Sequence, residues 1–204
     1  MEAALPSTAV SMTCEREIVT PPTDKPTDLL REAWTRLTSA PKRHRDPWRL
    51  PSFATVGPGA LPEVRTVVLR RVDPVARELE IHTDTASSKM AALATSPSAA
   101  FCFWDAKRSV QLRMSGPTHW VELASSTEIW QSLGPNGQRI YQSQPVPGEP
   151  ITAPASVTFD GPSRFARVIC TVETIDWLRL RRPAQERWIA RWQSGDWVAG
   201  WVAP

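Results

Sequence analysis

Arg65-Thr66-Val67-Val68-Leu69-Arg70, Ile81-His82-Thr83-Asp84, Ser87-Ser88-Lys89 and Val110-Gln111-Leu112-Arg113-Met114-Ser115-Gly116 all fall within residues 65–116. They give three strand patterns and one helix start. Short alternating runs rich in β-branched residues read as strands, and a Ser just ahead of a helical run reads as its cap. Each segment brings a cationic or polar group out of an apolar frame. Strands joined as hairpins close into a barrel, whose rim is suited to gripping a small anionic ligand.

The same reading extends outward from this block. Upstream, residues 1–26 are polar, lack periodicity and hold several prolines, so they read as a mobile tail. From Thr27-Asp28 a helix is expected, with Leu29, Leu30, Ala33, Trp34 and Leu37 on one face and Pro41 ending it. Phe53 to Val56 reads as a strand. Val64 to Val72 reads as one continuous strand buried on both sides, turned by Asp73-Pro74 into a hairpin with Glu78 to Thr83. Ser87 to Ala94 reads as a helix with Met90, Leu93 and Ala94 inward, closed by Pro97.

Downstream, Ala99 to Trp104 and Ser109 to Glu122 read as strands, with Gly116 marking a bulge. Ser125-Ser126-Thr127-Glu128 resembles a capping box for a helix through Leu133, and Arg139 to Gln142 reads as a second short helix. Pro145 to Pro162 is loop. Arg164 to Leu180 reads as one strand, and Glu186 to Trp192 with Trp197 to Val202 as a terminal hairpin around Ser194-Gly195-Asp196. About seven strands and three or four helices make a mainly β, α+β chain, an antiparallel barrel with peripheral helices.

Bulk composition narrows the function. The 204 residues hold 41% hydrophobic and 22% charged side chains, with a net charge of +3, which fits one globular domain over residues 27–204. The cations are scattered. The densest group, Lys42-Arg43-His44-Arg45, reads as a solvated loop, or else as a rim attracting phosphorylated ligands. No nucleic-acid partner is expected. With no long apolar run, no membrane segment is expected either, and a cytoplasmic location is the default. Cys14, Cys102 and Cys170 share no motif spacing; Cys102 and Cys170 read as buried thiols, with no metal site. Five of the ten tryptophans (Trp177, Trp188, Trp192, Trp197 and Trp201) lie near the C-terminus. They are suited to a subunit interface or to the core.

In order and spacing, the block from Arg65 to Gly116 resembles the pyridoxamine 5'-phosphate oxidase family of flavin-binding split barrels, and the resemblance extends from about Trp34 to Pro204. It implies a homodimeric split β-barrel with FMN at the subunit interface. The phosphate would meet Arg65, Ser87, Ser88 and Lys89, where a helix start offers free amides to an anion. The ring edge would meet the backbone of Thr66, Val67, Val68 and Leu69, together with Gln111, and His82 and Thr83 would also border the FMN. Arg187 matches the family arginine that reaches the flavin from the opposite subunit. The implied activity is hydride transfer between flavin and a small organic substrate, with oxygen or a nicotinamide as the other redox partner.

The chain departs from the family pattern at several positions. Ala86 and Ser88 flank Ser87 where the family carries an arginine; Arg108 is a possible substitute. Arg70 replaces the lysine that contacts substrate phosphate. Arg182-Pro183-Ala184-Gln185-Glu186 lacks the substrate arginine and histidine, so the vitamin B6 substrate is not supported. His82 replaces an aromatic residue and is expected to stack or hydrogen-bond locally; His119 reads as structural. Three other readings stay open: a non-catalytic flavin-binding or flavin-sensing protein, a split barrel holding haem or a deazaflavin, and a plain dimeric scaffold with an empty site.

Overall fold

The computed structural model describes residues 25–204. The expected tail lies outside them apart from Lys25 and Pro26, and Pro26 already opens the first helix, α1 (Pro26–Ser39). Proline suits that first position, because its missing N–H would have no intrahelical partner there. Leu29, Leu30, Ala33, Trp34 and Leu37 are all buried, as the helical spacing requires.

The described residues hold ten strands, not seven: β1 (Ser52–Val56), β2 (Pro62–Thr66), β3 (Leu69–Asp73), β4 (Glu78–Asp84), β5 (Ser98–Asp105), β6 (Val110–Glu122), β7 (Phe165–Thr171), β8 (Thr174–Arg179), β9 (Glu186–Gln193) and β10 (Asp196–Val202). Helix α2 (Ser88–Thr95) follows β4, and α3 (Thr127–Ser132) and α4 (Gly134–Arg139) follow β6. One sheet runs β10-β9-β8-β6-β5-β1-β2; a second runs β3-β4-β7-β6. Every pairing is antiparallel.

Strand β6 belongs to both sheets. Val110 to Ser115 pair with β8, and Thr118 to Glu122 pair with β7. Gly116 stands at the crossover. It is not a bulge, since the register with β5 is continuous through Ala99–Gly116. Its role is close approach: a Cβ there would lie 1.9 Å from the Thr171 carbonyl oxygen.

Two expected strands are each split between the sheets. Residues 64–72 break at Val67-Val68, so that β2 pairs with β1 while β3 pairs with β4. Thr66 and Val64 are exposed and Val67 and Val68 half-buried, not buried on both faces as expected. Residues 164–180 break at Val172-Glu173, where β7 gives way to β8.

Smaller departures have local causes. In α2, Ala92 is inward and Ala94 exposed. The Ser125–Glu128 capping box does not form: Leu123–Ser125 make a 3-10 turn, and Ser126 caps α3 with no side-chain bond. The second short helix begins at Gly134, ahead of the expected Arg139. The terminal hairpin forms as expected; Ser194 and Gly195 supply the two positive φ values, 52° and 89°, that match the strand twist.

Strand alternation gives the first sheet two unlike faces. The core face holds Phe53, Phe101, Phe103, Leu112, Met114, Ile175, Trp177, Trp188 and Ala190, all buried. Trp177 and Trp188 stack at 6.2 Å, and Phe53 meets Phe101 at 4.9 Å. Trp34 of α1 reaches Trp197 at 6.5 Å. Of the C-terminal tryptophans, Trp177 and Trp188 are core and Trp201 is exposed. The outer face is half-exposed. Across it Trp104, Gln111, Leu178, Arg187 and Val202 form one row, and Cys102, Arg113, Asp176 and Ile189 the next. Cys102 is therefore half-buried, whereas Cys170 is fully buried and its thiol is pushed up to about 12 by burial. Cys14 lies outside the described residues.

Candidate functional site

The site is built where β1, β2, the end of β4 and the start of α2 meet. Arg65 on β2 faces the same side as its neighbour across the ladder, Phe53. Its Nη1 donates to Thr55 Oγ1 at 2.7 Å, and its Nη2 donates to the Glu63 carboxylate. Lys89, in the first turn of α2, donates from Nζ to Thr83 Oγ1 at 3.1 Å. Thr83 Oγ1 also lies 3.1 Å from Ser87 Oγ. Burial pushes the Lys89 ammonium below the usual lysine range, the nearby Arg65 charge pushes it further, and Asp84 opposes them. Two cations from distant parts of the chain thus share one location, which is where an anion gains most.

Asp84 fixes the turn that delivers α2. Its Oδ1 accepts from the Ala86 amide at 2.8 Å, and both its oxygens accept from Arg164 Nε at 3.0 Å. Arg164 Nη2 reaches the Ser143 carbonyl at 2.6 Å and so ties the loop after α4 to the same turn. Ser87 is buried and donates to the Asp84 carbonyl at 2.7 Å; Ser88 is exposed at the helix start. Between β2 and β3 the chain leaves the ladder at Val67 and Val68, and the Val67 amide donates to the Pro51 carbonyl at 3.0 Å. Leu69, where the chain rejoins a ladder as β3, is buried.

The other expected site residues lie elsewhere. His82 alternates away from Thr83 onto the far face of the second sheet. There its Nε2 lies 3.2 Å from Glu80 Oε1, and its ring meets Phe165 edge-on at 5.0 Å. Burial alone would raise the Glu80 carboxyl; the fork from Arg167 (2.9 and 2.6 Å) and His82 outweigh it and hold the group at about 2. Gln111 and Arg187 share the outer face of the first sheet, opposite to the face that carries Arg65. Arg187 is held by Asp176, Nε to Oδ1 at 3.0 Å and Nη2 to Oδ2 at 2.8 Å.

Arg70 has a buried Nε with no protein partner. Burial raises the Tyr141 phenol while the adjoining Arg70 guanidinium opposes that rise. Arg108 is no substitute phosphate cation: it pairs with Glu32 of α1 at 3.0 Å. His119 is exposed on β6, and Lys42 to Arg45 form a solvated turn.

Sequence reading missed Glu63, Thr55, Asp84, Arg164 and Tyr141. Asp84 alone had a local signal, since Asp two residues ahead of an amide in a Thr-Ala-Ser stretch forms an Asx turn. The others act through contacts distant in sequence or through strand register.

Residues 31–122, which contain the cation pair and Gln111, match the family model described as the pyridoxamine 5'-phosphate oxidase, FMN-binding domain. The match covers less than half of the chain and makes this stretch similar to that domain. A curated relative, the pyridoxine/pyridoxamine 5'-phosphate oxidase of Thermosynechococcus vestitus, is 36% identical over 88 residues. That stretch is 43% of this chain and only 40% of the relative. Solved structures show the same fold over a longer span. A pyridoxamine 5'-phosphate oxidase-related, FMN-binding protein of Nostoc punctiforme has a TM-score of 0.68 at 23% identity, over 87% of this chain and 96% of its own. PhzG of Burkholderia lata, solved with tetrahydrophenazine-1-carboxylic acid, has a TM-score of 0.70 at 17% identity, over 90% and 94%. The split-barrel architecture expected from the family is the architecture observed.

Proposed function

We propose that two copies of this chain bind FMN between them and that the complex passes hydride equivalents between the flavin and a small organic substrate. The observation that carries this reading is the shared location of Arg65 and Lys89. Like charges held together at a partly buried rim favour a phosphate strongly. Ser88 and the amides of the first turn of α2 add donors for it, and with the Val67 amide already bonded to Pro51, the backbone of Thr66, Val68 and Leu69 remains for the ring edge. The residues present fit the cofactor, and FMN supplies the hydride chemistry when bound. The chain's own residues bind it, orient it and keep water from its face.

The second copy follows from the two faces of the first sheet. Gln111 and Arg187 point away from the cation pair of their own chain, so they serve a site only when their face covers another copy. A two-fold pairing through the outer face does this twice, because one patch meets its own image. Among the described residues no helix covers that face. Val64, Trp104, Val198 and Val202 are exposed on it. Arg187 would then stand at the pyrimidine edge of the ring and stabilise negative charge there. Arg70, with its free Nε beside Tyr141, is placed to hold an acidic group on the substrate.

An absorption spectrum of the purified protein, before and after incubation with FMN, tests the reading. A flavin band that bleaches anaerobically with a nicotinamide donor is expected. Protein that takes up no FMN would defeat the proposal; a band that no donor bleaches would leave a flavin-binding protein without turnover.

A further inference from the structure

We propose that Asp176 is the positioning residue for Arg187, setting the direction in which that guanidinium leaves the outer face and so how it meets a flavin held by the opposite copy. This rests on the flavin reading above. Asp176 sits in the middle of β8, flanked by β6 and β9. It is only 7% exposed, on a face whose other side chains are half-exposed. A carboxylate so placed must be satisfied by neighbours.

The neighbours are two arginines. Arg187 of β9 uses Nε and Nη2 in a fork against both carboxylate oxygens, at 3.0 and 2.8 Å. A two-point fork fixes the plane of a guanidinium as well as its position. It leaves Nη1 as the corner without a protein partner among the described residues. Arg113 of β6 donates to the same Oδ2 from the other side. One carboxylate between two guanidiniums leaves the cluster net positive beside Gln111, the next residue row on that face. Without Asp176, Arg187 would be a long side chain free to swing in solvent.

The backbone ladder already joins β8 to β9, so the fork is not needed to hold the two strands together. The geometry is that of an aimed cation.

The test is a double-mutant cycle on the FMN complex, with Asp176→Asn, Arg187→Ala and the pair, read by quenching of flavin fluorescence. Each single change is expected to weaken binding on the order of tenfold, the scale of a lost charge-assisted contact. The pair is expected to bind no more weakly than Arg187→Ala alone. The reduction potential gives an independent reading. Losing the carboxylate charge alone would raise it, whereas a misdirected Arg187 lowers it, as Arg187→Ala does. Losses that multiply in the pair, an Asp176→Asn complex as tight as wild type, or a raised potential would each overturn the assignment. Asp176→Leu, which replaces the buried carboxylate with a core-sized apolar group, repeats the measurement if Asn folds poorly. Wild-type protein that takes up no FMN would instead remove the flavin reading, and this role with it.

Discussion

Glu63 accepts a hydrogen bond from Arg65 two residues along the same strand, and its carboxylate takes up one side of the guanidinium nearest Lys89. An incoming phosphate therefore competes with a carboxylate for the same donor. Glu63→Gln is expected to tighten FMN binding, by about 1 kcal/mol for a partly exposed ion pair. Arg65→Ala and Lys89→Ala are expected to weaken it by about 2 kcal/mol each, as for a lost charge-assisted bond. Equilibrium titration of the apoprotein with FMN checks all three. Unchanged affinity in both alanine variants would place the phosphate elsewhere.

FMN affinity is expected to fall with rising pH earlier than an ordinary lysine would allow. Lys89 binds phosphate only while protonated, and its pKa lies below the usual 10.5 because of burial and Arg65. Affinity is complete below the Lys89 pKa and drops as pH passes through it. Titrations from neutral pH to about pH 10 should show the drop in wild type and not in Lys89→Met, beyond any change common to both. In the free protein the sign is opposite: stability rises with pH between the depressed pKa and 10.5, where the unfolded chain binds the extra proton.

Acid should destabilise the barrel through Glu80. This carboxylate is 2% exposed, gripped by Arg167 and His82, and held at about 2 against an ordinary 4.5. Its folded-state pKa is depressed, so its contribution is complete above 4.5 and is lost as pH falls towards 2. The amount is on the order of 3 kcal/mol. Thermal unfolding from neutral pH down to this range should show the loss in wild type, and a flatter acid limb in Glu80→Gln.

Gly116→Ala is expected to cost about 3 kcal/mol or to prevent folding, since the added methyl would lie 1.9 Å from the Thr171 carbonyl oxygen. Denaturant unfolding of the variant checks this. A midpoint near that of wild type would mean that the two sheets can part at the crossover.

The short hairpins and the buried face of α1 were legible because each depends on local spacing, whereas the convergence of Arg65 with Lys89 was implied by the family resemblance. Thr66-Val67-Val68-Leu69 hid a change of sheet, since β-branched residues read alike in either one. Around Glu173 the signal was present but faint: inward residues run 166, 168, 170, 172 and then 175, 177, a slip of one in the alternation. Gln111 and Arg187 were legible as residues, but their orientation was not. That depends on which way β6 and β9 present their side chains once paired, and only strand register settles it.

Strand β6 passes unbroken from one sheet into the other. The barrel therefore has no seam along this strand. Parting the two sheets along this line would mean breaking the hydrogen bonds of a strand that both of them share.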